Sequence, residues 1–509
     1  MTTFLGGRVD KHGLIGRAAW DTPWCILLGV ALTSLSLGFL SKANCLHTFG
    51  TADVVWNNTR QYTSACYSDI IALYGVEGMK AGHFPYLYSW VQDGQTRYME
   101  YPVLSGLFQW VTAEITRWIT GIAKILGMNP ALAVVNFSVA ALLLAVAWIA
   151  ALWFTFRLSR HRVWDTLLMA ASPLVWVQIF TNFDALAIAC CMGGLYYWNR
   201  RRYVWAGIFV GLGTAFKLYP VLLLGAFAVL ALRSLLRRGA QNRSSAVRSA
   251  ATALAMRGTM PTAGVDRRSR ASARAARGFG AATVAAVIVW LVCNVPIMML
   301  SMEGWKFFAK LNSSRSFEYG STLNLVDWLL EFGIVKLPAS EQSLISLVLC
   351  AAACLAVVIF GVKVQREPKV TELTFLLVVA FLMTNKVWST QYSLWLIPLA
   401  VLAVPRWKLV FGWMWVETLV WFAAMWWMMG VDKKGLPTDV FYSIFLVRDA
   451  LVLAMVVVCV RVMLGRRPAA PSTMADAVAT GEILPEYRGE LGVRGRIAPG
   501  APSREGELI

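Results

Sequence analysis

Residues 131–156 read ALAVVNFSVAALLLAVAWIAALWFTF, without a single charge, and Arg157, Arg160 and Arg162 follow at once. A helix needs about 20 apolar residues to cross a bilayer, and a basic edge commonly closes it on the cytoplasmic side. This stretch therefore reads as a membrane span. Working outward, similar runs occur at 24–40, 163–180, 183–198, 203–216, 218–232, 279–300, 342–362, 372–385, 391–404, 407–429 and 439–463. Hydrophobic residues make up 58% of the 509 and charged residues 15%, where a soluble chain carries roughly 25%. Soluble, disordered and collagen-like classes are excluded. The expected architecture is an all-α polytopic membrane bundle of about twelve spans.

Charge orients the bundle. With a cytoplasmic N-terminus, the basic clusters Arg157–Arg162, Arg200–Arg202, Arg233–Arg277, Lys363–Lys369, Arg406–Lys408 and Arg461–Arg467 all fall inside, provided 104–127 does not cross. That segment carries Glu114, Arg117 and Lys124, which are costly at the bilayer centre, so a re-entrant or interfacial amphipathic helix is expected. The chain then divides into a cytoplasmic N-terminus (1–20), a membrane domain (21–463) and a cytoplasmic tail (464–509). The tail is rich in Pro and Gly and is expected to be disordered. Outer loops 42–103 and 301–341 each hold four basic and five acidic residues. The net charge of +19 is thus concentrated inside, as an orientation signal. The loop 233–277 has eleven Arg, one Asp and no aromatic residue on which bases could stack. It reads as a flexible loop touching anionic headgroups, with no nucleic-acid partner. Four scattered His and nine Cys without a C-x-x-C pair give no reason to expect a metal. Cys45 and Cys66 share a polar loop, where they are either free or, in an oxidising compartment, paired.

Polar residues at the outer turns are the candidate site. In CYSDIIALYGVEG (66–78), Asp69 follows Tyr67 and Ser68 and opens a short helix carrying Tyr74. It is either an N-terminal cap or a site carboxylate. Glu100 and Tyr101 introduce the 104–127 helix, and Glu100 is a dipole partner or a second site carboxylate. Asn182 and Asp184 lie in a tight turn, as turn formers or ligand contacts. Lys217 either snorkels or meets an anion. Arg315 and Glu318 fall in the second outer loop, and Lys386, Gln391 and Tyr392 in a short outer turn. Lys217, Arg315 and Lys386 run against the inside bias and stand beside carboxylates. Together they point to an anionic ligand reached from the bilayer, such as a lipid phosphate.

The order of Ser68-Asp69, Glu100-Tyr101-Pro102, Lys217-Leu218-Tyr219-Pro220 and Lys386-Val387-Trp388-Ser389-Thr390-Gln391-Tyr392 resembles the GT-C membrane glycosyltransferases. It most resembles glycosyltransferase family 87 of actinobacteria. The resemblance runs from about Trp24 to Arg461. It implies a polyprenyl-phosphate-mannose-dependent mannosyltransferase of cell-envelope lipoglycan assembly, in the plasma membrane, with both termini cytoplasmic and the site on the outer face. It also implies that Asp69 is the catalytic base and that Lys386 and Gln391 belong to the late motif. Two departures stand out: Tyr101-Pro102-Val103 where the family has Tyr-Pro-Pro, and Ser389-Thr390-Gln391 where it has Ser-Pro-Gln.

A mechanism follows from charge. Asp69 takes the proton of an acceptor hydroxyl as the glycosyl bond forms. Lys386, Lys217 or Arg315 neutralises the departing lipid-linked phosphate. Tyr67, Ser68, Tyr74, Glu100, Tyr101, Asn182, Asp184, Glu318, Gln391 and Tyr392 are the expected substrate contacts. No cofactor is expected, and the partners are the lipid-linked donor, a glycolipid or glycan acceptor and membrane lipid. An arabinofuranosyl donor is the second reading. A flippase for a lipid-linked sugar is the third, against which stands the lack of self-similar halves. A scaffold working through the Arg-rich loop is the fourth.

Overall fold

In lipid a backbone must satisfy its own hydrogen bonds, so long apolar runs have no alternative to helix. A computed structural model describes residues 23–49, 53–55, 59–236 and 263–465. The N-terminal segment 1–20, residues 237–262 of the Arg-rich loop and 466–509 of the tail lie outside the described residues. Among those described, seven helices are long and apolar enough to cross a membrane: Pro23–Leu40, Leu132–Ser159, Tyr219–Leu236, Ala275–Leu300, Ala339–Lys363, Trp407–Met428 and Thr438–Met463. Tyr203–Phe216, Val370–Thr384 and Thr390–Ala403 are shorter apolar helices. The protein is an all-α, multi-pass membrane bundle.

The span count differs from the twelve apolar runs for physical reasons. The run 163–180 is broken into a 3-10 turn (Arg160–Thr166) and the short helices Leu167–Ala170 and Pro173–Gln178. Pro173 lacks an amide hydrogen and pushes Ser172 into extended backbone, so a continuous helix cannot form there. The short helices are the enclosed ones. Asp184–Asn199 and Val370–Thr384 are buried along most of their length, whereas Ala339–Lys363 turns Leu344, Leu347, Val348 and Leu355 outward.

Segment 103–125 forms one uninterrupted helix, so it does not turn back on itself as a re-entrant segment would. Its buried face is polar (Ser105, Gln109, Thr112, Thr116, Thr120), and its exposed face is apolar (Val111, Ile115, Trp118, Ile119, Ile122). Glu114 pairs with Arg117, which also donates to the Met79 carbonyl at 2.9 Å. This inverted amphipathicity fits a helix that covers the bundle and shows its apolar side to lipid.

One close approach between helices depends on a pair of glycines. Gly207 and Gly211, one helical turn apart, face the helix Ala263–Leu300, where an added Cβ would lie 2.1 Å from the Ala282 carbonyl oxygen and 2.5 Å from that of Ala286. Small residues at this spacing let membrane helices touch backbone to backbone. At the same end of the bundle, Arg233 is buried. It donates to the carbonyls of Gly361, Val362, Gln365 and Arg366 at 2.8–3.0 Å, closing the C-terminus of Ala339–Lys363. The expected flexible loop 233–277 is therefore corrected at both ends: helix persists to Leu236 and resumes at Ala263. A small antiparallel hairpin, Trp90–Gln92 with Gln95–Arg97, turns on Asp93 and Gly94, both at positive φ. Asp-Gly is a favoured pair for such a turn.

Candidate active site

At the bundle end opposite Arg233, the helix termini and connecting loops enclose a cavity of about 990 Å³. Its wall comes from 62–73, 100–102, 181–182, 217–219, 308–319, 343–350, 381–395, 421–428 and 441–445. Of the spanning helices, Tyr219–Leu236, Ala339–Lys363, Trp407–Met428 and Thr438–Met463 contribute, each by the turns at one end.

Asp69 opens the helix Asp69–Val76, as expected. Its side chain does not cap that helix. The carboxylate faces the cavity and accepts from Tyr67 Oη at 2.7 Å on Oδ1, and from Tyr101 Oη at 3.0 Å and Asn182 Nδ2 at 2.6 Å on Oδ2. Asn182 also donates to Tyr101 Oη at 3.0 Å, which closes the triangle. The Asp69 charge, with burial, pushes the Tyr67 phenol well above its usual range; burial first and then Asp69 do the same to Tyr101. Both stay protonated and serve as donors. The loop is anchored from behind, because the Asp69 amide donates to the Thr181 carbonyl at 2.8 Å and Ser68 Oγ to the Phe180 carbonyl at 2.7 Å.

The cations behave differently from one another. Lys217, the residue closing Tyr203–Phe216, lies 3.5 Å from Asp184 and 5.3 Å from the ring centroids of both Tyr101 and Tyr392. Burial lowers the affinity of this ammonium for its proton. The pull of Asp184, Tyr392 and Asp69 outweighs it, so the net shift is upward and the lysine stays charged. Asp184 is held in turn by Trp395 Nε1 at 2.8 Å, and Tyr392 stacks on Trp395 at 4.3 Å. Arg315 pairs with Glu318 at 3.5 Å on the cavity wall. Burial raises Glu318, against the opposing charges of Arg315 and Lys386. Lys386 also lines the cavity, but its ammonium is occupied. It donates to the Asn312 and Arg315 carbonyls at 2.8 and 2.7 Å and to Ser343 Oγ at 2.6 Å, closing the C-terminus of Met302–Ser314.

Most sequence candidates thus meet in one cavity: Asp69, Lys217, Arg315, Lys386, Tyr67, Glu100, Tyr101, Asn182, Glu318, Gln391 and Tyr392. Three do not line it. Ser68 is buried behind the loop, Asp184 is buried behind Lys217, and Tyr74 packs among Met79, Tyr86 and Met99 in a separate small core. Ser68 fastens the Asp69 loop to the Phe180 carbonyl, and Asp184 pairs with Lys217. The Cys45–Cys66 disulfide is formed.

Lys42 was not among the candidates. It is fully buried and donates to the carbonyls of Tyr67 and Val177 and to Thr181 Oγ1. A lysine just past an apolar run reads as a snorkelling end, and nothing local in the sequence distinguishes the two. Among the described residues no group of three or more His, Cys, Asp or Glu is arranged to hold a metal ion.

No curated protein matches the chain. The family model of glycosyltransferase family 87 matches residues 101–272, a segment that begins at Tyr101 and contains Asn182, Asp184 and Lys217. Asp69 and the late Lys386 motif lie outside it. The match agrees with the family read from the motif order, on the segment that supplies two of the three partners of Asp69: the chain is a membrane-helix glycosyltransferase similar to family 87.

Proposed function

We propose that the protein transfers mannose from a polyprenyl-monophosphate donor to a glycolipid or glycan acceptor of the cell envelope. The cavity would open at the outer face of the plasma membrane. Asp69 acts as general base and Lys217, with Arg315, receives the donor phosphate. One observation carries this reading: a fixed carboxylate and a buried, charged lysine share the same cavity at one end of a membrane bundle.

The chemistry balances simply. The acceptor oxygen attacks the anomeric carbon, its bond to the donor phosphate oxygen breaks, the acceptor proton passes to Asp69, and polyprenyl phosphate leaves. A single displacement inverts the anomeric centre. An ionised carboxylate offers about four acceptor directions, and Tyr67, Tyr101 and Asn182 take three, leaving one on Oδ1 for the acceptor hydroxyl. The same negative charge stabilises an oxocarbenium-like transition state. Lys217 holds its ammonium against aromatic faces and one carboxylate, with N–H groups left over for a phosphate oxygen. Lys386 is reassigned from donor binding to closure of the 302–314 helix, because its donors are already used. The apolar wall at Leu347, Cys350 and Phe381 suits an isoprenoid chain entering beside Ala339–Lys363.

Purified protein in detergent or nanodiscs, given polyprenyl-phosphate-mannose or decaprenyl-phosphate-arabinose with lipid acceptors, tests the reading. Mannose transfer that falls about 10²–10⁴-fold in Asp69→Asn is expected. Transfer of arabinose alone would replace the sugar. Undiminished transfer by Asp69→Asn would remove Asp69 from the base role.

A further inference from the structure

Lys42 follows the first spanning helix by two residues and lies wholly inside the protein. Its ammonium donates to the Tyr67 carbonyl at 2.9 Å, the Val177 carbonyl at 2.8 Å and Thr181 Oγ1 at 3.0 Å, and sits 4.5 Å from the Trp421 ring centroid. Taking an ammonium out of water is costly unless each N–H finds an acceptor. Here all three do, and a ring face covers the remaining side. The acceptors belong to the two segments that meet at Asp69. Tyr67 stands two residues before it, and Thr181 ends the turn whose carbonyl receives the Asp69 amide. Trp421 Nε1 donates to the Ala65 carbonyl at 2.9 Å, and Cys66 is tied to Cys45, so the same junction is pinned from two further directions. Lys42 does not line the cavity, whereas Lys217 does.

We propose that Lys42 is a positioning residue for the reaction: a buried positive charge that locks the Asp69 loop to the 177–181 turn and favours the ionised carboxylate from the side away from substrate. This rests on Asp69 being the base. The charged and titratable groups that act on Asp69 are Lys42, Lys217, Asp184, Glu77, Tyr67 and Tyr101. Lys42 and Lys217 are the two cations in that set, and only Lys42 lies outside the cavity. Burial brings the Lys42 ammonium down to about 7, with Asp69 pulling the other way. Its charge is accordingly present below neutrality and lost as pH rises through that value.

The test is the pH–rate profile of the full-length enzyme with polyprenyl-phosphate-mannose. Lys42→Gln keeps an amide donor and loses the charge. It should lower kcat about tenfold, leave the donor KM within about twofold, and move the acid limb up by roughly half to one pH unit. A purely structural defect would lower the plateau and leave the limb in place. Lys42→Arg keeps its charge at every accessible pH, so the alkaline decline of the wild type across neutrality should disappear in it. Thermal melts and disulfide formation confirm folding. If Lys42→Gln does not fold, the comparison of wild type with Lys42→Arg decides. An unmoved acid limb in folded Lys42→Gln, or superimposable alkaline limbs in wild type and Lys42→Arg, would overturn the proposal. Asp69→Asn is run in parallel. If it is fully active, the base reading itself fails; if it is dead while the Lys42 limbs do not move, only the Lys42 proposal fails.

Discussion

Asp69 stands where a helix cap is expected, yet it spends its oxygens on two phenols and an amide instead. The partners come from separate parts of the chain, so their convergence is a tertiary fact. Removing one donor loosens the carboxylate without deleting it, and Tyr101→Phe and Asn182→Ala should each reduce kcat about tenfold while leaving the fold intact by thermal melt. Lys217 and Lys386 should separate cleanly. Lys217→Met is expected to raise the donor KM and lower kcat/KM by at least about tenfold. Lys386→Met should instead lower thermal stability by on the order of 1 kcal/mol, since it strands part-buried carbonyls. Equal effects on donor KM would count against this division. The sequence made Asp69, Tyr101, Asn182 and Lys217 visible because polar groups at the turns of an apolar chain are few. It did not separate Lys217 from Lys386, because both are cations on the same side and only packing decides whose donors are spent. Lys42 was hidden for the opposite reason: a lysine beyond a span looks ordinary until the chain folds over it.

At the scale of elements, hydropathy located nearly every helix and misjudged those that are broken or enclosed. The break at Ser172-Pro173 lies in an apolar run, and enclosure lets Val370–Thr384 be shorter than a lipid-facing span. The contact between Tyr203–Phe216 and Ala263–Leu300 leaves no room for a side chain at Gly207 or Gly211. Gly207→Leu or Gly211→Leu forces the two backbones apart and should cost about 1–3 kcal/mol, measured as a lower melting temperature, whereas Gly29→Leu meets open space and should not. The disulfide closes a 21-residue separation beside Asp69. Cys45→Ser should lower stability by about 3 kcal/mol on the loop-entropy estimate, and transfer activity should fall with it. Unchanged melting and activity in that variant would show the 42–69 segment to be held by Lys42 and Trp421 alone.

At the scale of the molecule, Arg200, Lys363 and Arg461 stand at the C-terminal ends of helices whose other ends adjoin the cavity. A cysteine introduced near Arg202 should resist membrane-impermeant thiol reagents on intact cells, and one at Tyr319 should react. Reversal of the two would invert the proposed orientation and move the site to the other face.

The glycine contact has a further consequence. Helices ending at Leu236 and beginning at Ala263 are welded to the rest by their own surfaces, so covalent continuity between 236 and 263 is not what holds the halves together. Yet the cavity draws on both: Asp69, Asn182 and Lys217 from one piece, Arg315, Tyr392 and Trp395 from the other. A gene cut at that point and expressed as two polypeptides should give fragments that are each inert and that regain transfer activity on reunion in the same membrane.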